Sequence, residues 1–303
     1  MFQRTINRSI STEGVGIHSG KKVRLNLYPA EANTGICFRR SDIDTDFFNI
    51  DPSCIKQTVL CTGVYKNGVE IKTIEHLMAA LYMLGIDNIL IEVDSYEIPI
   101  MDGSSAPFIF LIKDVGIKNL ESYKKVVKVK KEISYTEGDK YVVVRPSNSI
   151  NIDYRIDFEN NVIKNSNQRL NINLFKNNIV NHLANARTFG FIRDVEYLQK
   201  NGLAKGGSLS NAIIIDDYRV INDEGLRYED EFVRHKMLDM LGDIFVCGKY
   251  IIGDFCAYKS GHYMNNMFLR EIFSKKENYE IVDLGKNNII DNEKIFKDLL
   301  AFN

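Results

Sequence analysis

Residues 76–85 read HLMAALYMLG and residues 235–242 read HKMLDMLG. Each stretch opens on a histidine, carries Leu and Met at helical spacing and reaches a glycine. In the first, Ile74, Leu77, Met78, Leu81 and Leu84 form the apolar stripe of a helix that starts at Thr73 and stops at Gly85. In the second, the pattern extends over Asp230 to about Val246, and Gly248 ends it. Strands precede each helix. Lys21–Tyr28 alternates with Val23, Leu25 and Leu27 on one face, and Val59–Ile71 reads as a hairpin turning at Asn67-Gly68. In the second half, 126–135, 141–145 and 150–158 read as strands and 174–183 as a helix. A buried strand follows each His-bearing helix, at 88–93 and at 250–258. A further helix comes next, opened by Ser104-Ser105-Ala106-Pro107 in one half and by Lys259-Ser260-Gly261 before His262 in the other. Read as a repeat, this order predicts an α+β fold of two similar domains, 1–123 and 124–303. The two would pack face to face, with their His-bearing helices meeting at the interface. Any two amphipathic Leu/Met helices share such a pattern, so the helices alone do not decide between duplication and coincidence.

The 303 residues suit about two domains, and 45% apolar with 26% charged residues is a globular composition. Lys plus Arg number 39 against 40 Asp plus Glu, which leaves no basic footprint for nucleic acid. No apolar run is long enough to span a bilayer, and MFQRTINRSIST has no signal-peptide core. A cytoplasmic protein is therefore expected, and it is taken to be a monomer. The five cysteines are odd in number and form no CxxC pair, which argues against disulfides and thiolate zinc. A metal site must then draw on Asp, Glu and the five histidines.

His235 and Asp239 are four residues apart and share one helix face, the spacing of a metal clip. The same spacing also serves surface hydrogen bonds and caps. Glu75 and His76 lie outside the apolar stripe of their helix, although a lone histidine there can equally be a satisfied core residue. Together His76, His235 and Asp239 make the two-His, one-carboxylate set of a catalytic zinc that keeps a fourth position open. Glu75 would stand beside it as a non-ligand carboxylate suited to deprotonating water. Asp243 lies one turn beyond Asp239, and His262 stands at a helix start. The helix N-terminus disfavours imidazolium by about 0.3–1 kcal/mol, whereas a carboxylate in reach favours it by about 1–3 pKa units. With Asp243 in reach, His262 is a protonated acid for a departing amine; without it, His262 is a capping residue.

The chain resembles the UDP-3-O-acyl-N-acetylglucosamine deacetylase family, the zinc amidases of lipid A biosynthesis. The likeness is carried by GVGIHSGK from Gly14, TIEHLMAAL from Thr73, EIPIMDGSSAPF from Glu97, ARTFGFIRDVEYL from Ala186, EDEFVRHKMLDMLGD from Glu229 and KSGHYMNN from Lys259. The resemblance implies zinc, with iron as an alternative, on His76, His235 and Asp239. It makes Glu75 the general base and His262 the residue that stabilises the oxyanion and protonates the amine, held by Asp243, with Thr188 a hydroxyl on the oxyanion. Lys236 and Lys140 match basic residues near the sugar and diphosphate, Phe158 an aromatic associated with uracil, and His18 a residue at the substrate's polar region.

The substrate so implied is a UDP-linked acylated aminosugar, deacetylated with release of acetate. The family also places an acyl-chain insert here at about 189–222, where Phe189, Phe191, Leu198, Leu203 and Ile213–Ile215 are many apolar residues for a glycine-punctuated stretch. Ordinary core would give the same composition. Tyr263 departs from the family, which usually has a small Ala there, and so bears on pocket volume. Cys61 matches a position near the family's active site without being a ligand. Two competing readings keep some of these residues: a metal-dependent deacetylase of another N-acyl sugar, and a non-catalytic α+β module with a structural metal. Structural zinc normally takes four protein ligands, which speaks against the second.

Overall fold

A computed structural model describes residues 1–57 and 59–285. In the first half, a five-stranded sheet has the order Ile10–Val15, Lys22–Pro29, Ile89–Val93, Ile36–Arg40, Phe48–Asn49. All its pairings are antiparallel except Ile89–Val93 with Ile36–Arg40. Val23, Leu25 and Leu27 are buried as their alternation requires, and Ile89, Ile91 and Val93 sit at the centre. In the second half, five strands repeat the scheme in the order Ile133–Glu137, Lys140–Arg145, Ile251–Tyr258, Ile150–Arg155, Arg169–Asn173. The one parallel pairing among these five is again third with fourth. Lys125–Val129 and Tyr279–Asp283 widen this sheet to seven strands. The likeness of the two helix sequences thus extends to strand order and strand sense, and the fold is α+β with two similar layered halves.

Seven helices are found among the described residues: α1 (Glu75–Leu84), α2 (Ala106–Val115), α3 (Asn161–Lys164), α4 (Ile179–Leu183), α5 (Ile192–Lys200), α6 (Glu231–Ile244) and α7 (His262–Phe273). In each half, one helix enters the central strand and another leaves it: α1 and α2 flank Ile89–Val93, and α6 and α7 flank Ile251–Tyr258. Gly85 ends α1 and Gly248 ends the α6 segment, both left-handed with φ of 67° and 64°. One continuous apolar core runs from Val23 and Leu25 through Leu77 and Leu81 of α1 and Leu238 and Leu241 of α6 to Ile152 and Phe255.

Several local expectations shift. Every residue of α1 is buried, so it is a core helix and not an amphipathic one. The hairpin spans only Gly63–Lys66 and Val69–Ile71, around Asn67-Gly68 with both φ positive. The expected strand 126–135 is two, Lys125–Val129 and Ile133–Glu137, broken at the polar run 130–132. The helix expected at 174–183 shrinks to α4. Asn173 Oδ1 accepts from the Phe175 and Lys176 amides, a side-chain turn that competes with helix, and Asn178 caps the shorter one. Ser105 does not cap α2: its hydroxyl donates to the His76 carbonyl at 2.7 Å, while Ser104 Oγ accepts from the Ala106 amide. The glycine-punctuated segment 189–222 contains regular elements. Phe189–Phe191 and Ile213–Ile215 pair in parallel with α5 between them, and Ile192, Val195 and Leu198 recur at helical spacing.

Candidate active site

The site forms where α6 crosses the start of α1. A side chain at Gly242 would put its Cβ 2.0 Å from the Glu75 carbonyl oxygen, so only glycine permits this approach. His235, Asp239 and Asp243 repeat every four residues and share the face of α6 turned to Glu75 and His76.

His76, His235 and Asp239 offer ligand atoms that all lie within 4.8 Å of one another, and all three residues are buried. Asp239 Oδ1 stands 3.5 Å from His76 Nε2 and 3.2 Å from His235 Nε2. That oxygen is buried without a hydrogen-bond partner, as is His76 Nδ1. A buried carboxylate oxygen facing two imidazole nitrogens without a donor is what a cation would satisfy, so the residues fit a divalent metal. His235 Nδ1 donates to the Ala186 carbonyl at 3.0 Å, which leaves the Nε2 lone pair turned to the cluster. Burial outweighs the pull of Asp239 and holds His235 at about 3, neutral as a ligand must be. Burial works against ionisation of Asp239, but its neighbours His235 and the Lys236 ammonium keep its carboxyl well below the usual range. Lys236 also hydrogen-bonds Asp239 Oδ2. Burial opposes the Lys236 charge too, and Asp239 and Tyr154 more than offset it, so the ammonium titrates above its ordinary value.

Glu75 is buried, and burial raises its carboxyl. Its Oε2 accepts from the Thr62 amide at 3.0 Å, which leaves Oε1 toward His262, whose Nε2 is 4.0 Å away. His262 Nδ1 donates to Asp243 at 3.0–3.1 Å. Burial opposes the imidazolium, but the charge and hydrogen bond of Asp243, with Glu75 and Asp239 beyond, raise His262 to about 9. The contact with Asp243 therefore decides the competition posed by the helix start in favour of the protonated form.

Asp243 in turn accepts from Thr62 Oγ1 at 2.6 Å and Asn265 Nδ2 at 2.8 Å. Ser260 Oγ hydrogen-bonds Asn265 Oδ1, and Tyr154 donates to the Ser260 carbonyl at 2.7 Å. Sequence reasoning missed Thr62, Asn265, Ser260 and Tyr154, whose roles come from partners on other elements. It also missed Glu97, fully buried, which accepts from the amides of His18 and Ser19 and from Thr73 Oγ1 and so holds the loop carrying His18.

These groups open into a cavity of about 800 Å³. Of the residues singled out from sequence, Glu75, His76, His235, Lys236, Asp239, His262, Thr188, Lys140, Phe158, Phe189 and His18 all line it; Asp243 stands behind His262. One part of the wall is apolar, with Phe158 edge-on to Phe189 at 5.5 Å and Ile192, Val195 and Leu198 from α5. Elsewhere Glu137, Lys140 and Lys259 bring charge. Arg187 is buried, pairs with Glu231 at 2.9 Å and Glu224 at 2.8 Å, and anchors Ala186 and Thr188 on either side of it. Tyr263 is 46% exposed, and its hydroxyl lies 3.4 Å from that of Tyr135. It stands at the rim, and the cavity persists despite its size. Cys61 is buried, and burial beside Glu75 pushes its thiol up to about 12, an unreactive group.

Fold and cavity together define an α+β protein in which a buried metal-type cluster of two histidines and a carboxylate opens into one cavity. The model of one family, described as LpxC, UDP-3-O-acyl N-acetylglycosamine deacetylase, matches residues 3–274. The chain belongs to that family.

Proposed function

We propose that this protein removes the acetyl group from the amide of UDP-3-O-acyl-N-acetylglucosamine, a step of lipid A biosynthesis, with zinc held by His76, His235 and Asp239. The observation that carries the reading is one cavity in which three ligand atoms within 4.8 Å stand beside a non-ligand carboxylate, Glu75, and a charged imidazole, His262. Bound there, the metal supplies Lewis acidity for the amide carbonyl and for the attacking water. Glu75 Oε1 takes a proton from that water as its oxygen bonds to the carbonyl carbon. His262 Nε2 gives its proton to the amine nitrogen as the C–N bond breaks, so acetate and a free aminosugar leave. Imidazolium at His262 and the hydroxyl of Thr188 stabilise negative charge on the former carbonyl oxygen.

Lys236, Lys140 and His18 serve the polar part of the substrate, and Phe158 its uracil. Phe189 begins the segment 189–222 that takes the acyl chain, a role supported by the apolar wall of α5. A division into domains 1–123 and 124–303 is supported by sheets that never combine strands from both sides of it among the described residues. Residues 286–303 of the second lie outside the described residues. We take the acting unit to be a monomer. No helix among the described residues is long and apolar enough to cross a membrane, and a cytoplasmic site of action suits a nucleotide-linked substrate. The test is metal stoichiometry measured with acetate release from the UDP-linked acylated aminosugar. About one zinc per chain with turnover is expected. Turnover only on a different N-acyl sugar would replace the substrate, and bound metal without turnover on any would leave a non-catalytic module.

A further inference from the structure

We infer that Thr62 is the positioning residue that sets the proposed base and acid against one another, an assignment that rests on the roles proposed above for Glu75 and His262. Thr62 is fully buried just before the strand Gly63–Lys66. Its amide donates to Glu75 Oε2 at 3.0 Å, and its hydroxyl donates to Asp243 Oδ1 at 2.6 Å. Its carbonyl accepts from the Ile74 amide at 3.1 Å, which pins the residue to the start of α1. Of the residues described, it alone hydrogen-bonds both the carboxylate that would take a proton and the carboxylate that holds the imidazole that would give one.

The consequences follow from counting lone pairs. A Glu75 oxygen committed to a backbone amide cannot rotate into the cavity, so Oε1 is the one presented there. Asp243 has a donor on each oxygen, Thr62 on Oδ1 and Asn265 on Oδ2, so the carboxylate plane is fixed and His262 Nδ1 sits near both oxygens. A single hydroxyl hydrogen, with no second use, selects threonine over a residue of the same shape. The neighbouring thiol of Cys61 makes neither bond, so of these two adjacent residues it is the threonine that bears on the site.

The test compares Thr62→Val, which keeps shape and amide but deletes the hydroxyl, with Thr62→Ser, which keeps it. Thr62→Val should lower kcat about 3- to 30-fold, with KM and metal content within twofold, as expected for removing one of the hydrogen bonds that a buried carboxylate accepts. Thr62→Ser should restore most of kcat. The low-field proton resonance of His262 Nδ1–H should move in the Val variant and return in the Ser variant. Thr62→Ala serves as a second hydroxyl-free variant if Val does not fold. Unchanged kcat in the folded Val variant, or equal losses in Val and Ser, would overturn the assignment. Wild-type protein without deacetylase activity would instead overturn the function proposed above. The proton resonance would then still report whether Thr62 holds the Asp243–His262 pair.

Discussion

In the first half, the chain between the strand Phe48–Asn49 and α1 is a small three-stranded sheet, Ile55–Gln57, Gly63–Lys66 and Val69–Ile71. In the second half, the chain between the corresponding strand Arg169–Asn173 and α6 contains α4, Thr188 and the paired strands around α5. Both excursions occupy the same topological place, and each returns to support the helix that follows. Thr62 holds Glu75 on one side, and Ala186 orients His235 on the other. The halves differ in how they present polar groups. α1 is buried on all sides and offers its chemistry only at its first two residues, Glu75 and His76. α6 carries a stripe of His235, Asp239 and Asp243 down one face. A repeated scaffold thus leaves room for unequal contributions, because strand order constrains where a helix runs and not which of its turns faces the cavity.

The comparison breaks most severely if the proposed metal ligands are not shared between halves. Ala at His76, His235 or Asp239 should each remove most bound metal and nearly all turnover, read by metal analysis alongside acetate release. Full metal occupancy in the His76 variant would place the site in the second half alone. Glu75→Gln separates the two adjacent residues of α1: metal stays near normal while kcat falls by about 10² to 10⁴, the usual worth of a general base. A metal-free Gln variant would make Glu75 a ligand.

Gly242→Ala tests the crossing itself. A Cβ 2.0 Å from the Glu75 carbonyl must push the helices apart. Overpacking of about 1–3 kcal/mol should lower the thermal midpoint and depress activity with it. Unaltered stability would mean that the halves yield easily at this contact. The second excursion is tested by Leu198→Glu on the cavity wall of α5. Withdrawing one leucine-sized apolar contact, worth about 1.5–3 kcal/mol, should raise KM for a long-acyl substrate about tenfold or more and leave a short-acyl analogue little changed. Equal losses for both would point to a folding defect.

What could be read from sequence was what repeats locally. Leu77 to Leu84 and Met237 to Leu241 announce helices through spacing, Gly85 and Gly248 mark their ends, and His235 with Asp239 declare a shared face. Thr62 and Asn265 were not legible, because each acquires meaning from a partner 181 or 22 residues away. The strand Phe2–Ile6 was hidden likewise, since its partner is Ile117–Tyr123. The helix in the second excursion has its apolar spacing at 192, 195 and 198, but it is short and lies between the glycines at 190 and 202, so the stretch read only as glycine-punctuated and apolar. The role of Gly242 could not be read either, because an amphipathic pattern does not say which turn meets another helix.

The smallest effect expected, and the one that separates orientation from charge, concerns Asp243. It is the last turn of the α6 stripe and has no counterpart on α1. For the proposed reaction, kcat/KM should follow a bell in pH, its acid limb set by protonation of Glu75 and its basic limb by loss of the His262 proton. Burial raises Glu75, so the acid limb should lie above the ordinary carboxylate range. Asp243 is the leading influence that holds His262 up, at about 9, against burial. Asp243→Asn keeps the shape but deletes the charge. The imidazolium then loses support, its pKa falls by about 1 unit or more, and the acid form is exhausted at lower pH. The basic limb should therefore move to lower pH, with metal content unchanged and activity below neutrality reduced only modestly. If activity falls evenly at every pH while the limb stays in place, the limb belongs to another group. In that case Asp243 contributes only the direction in which the ring points.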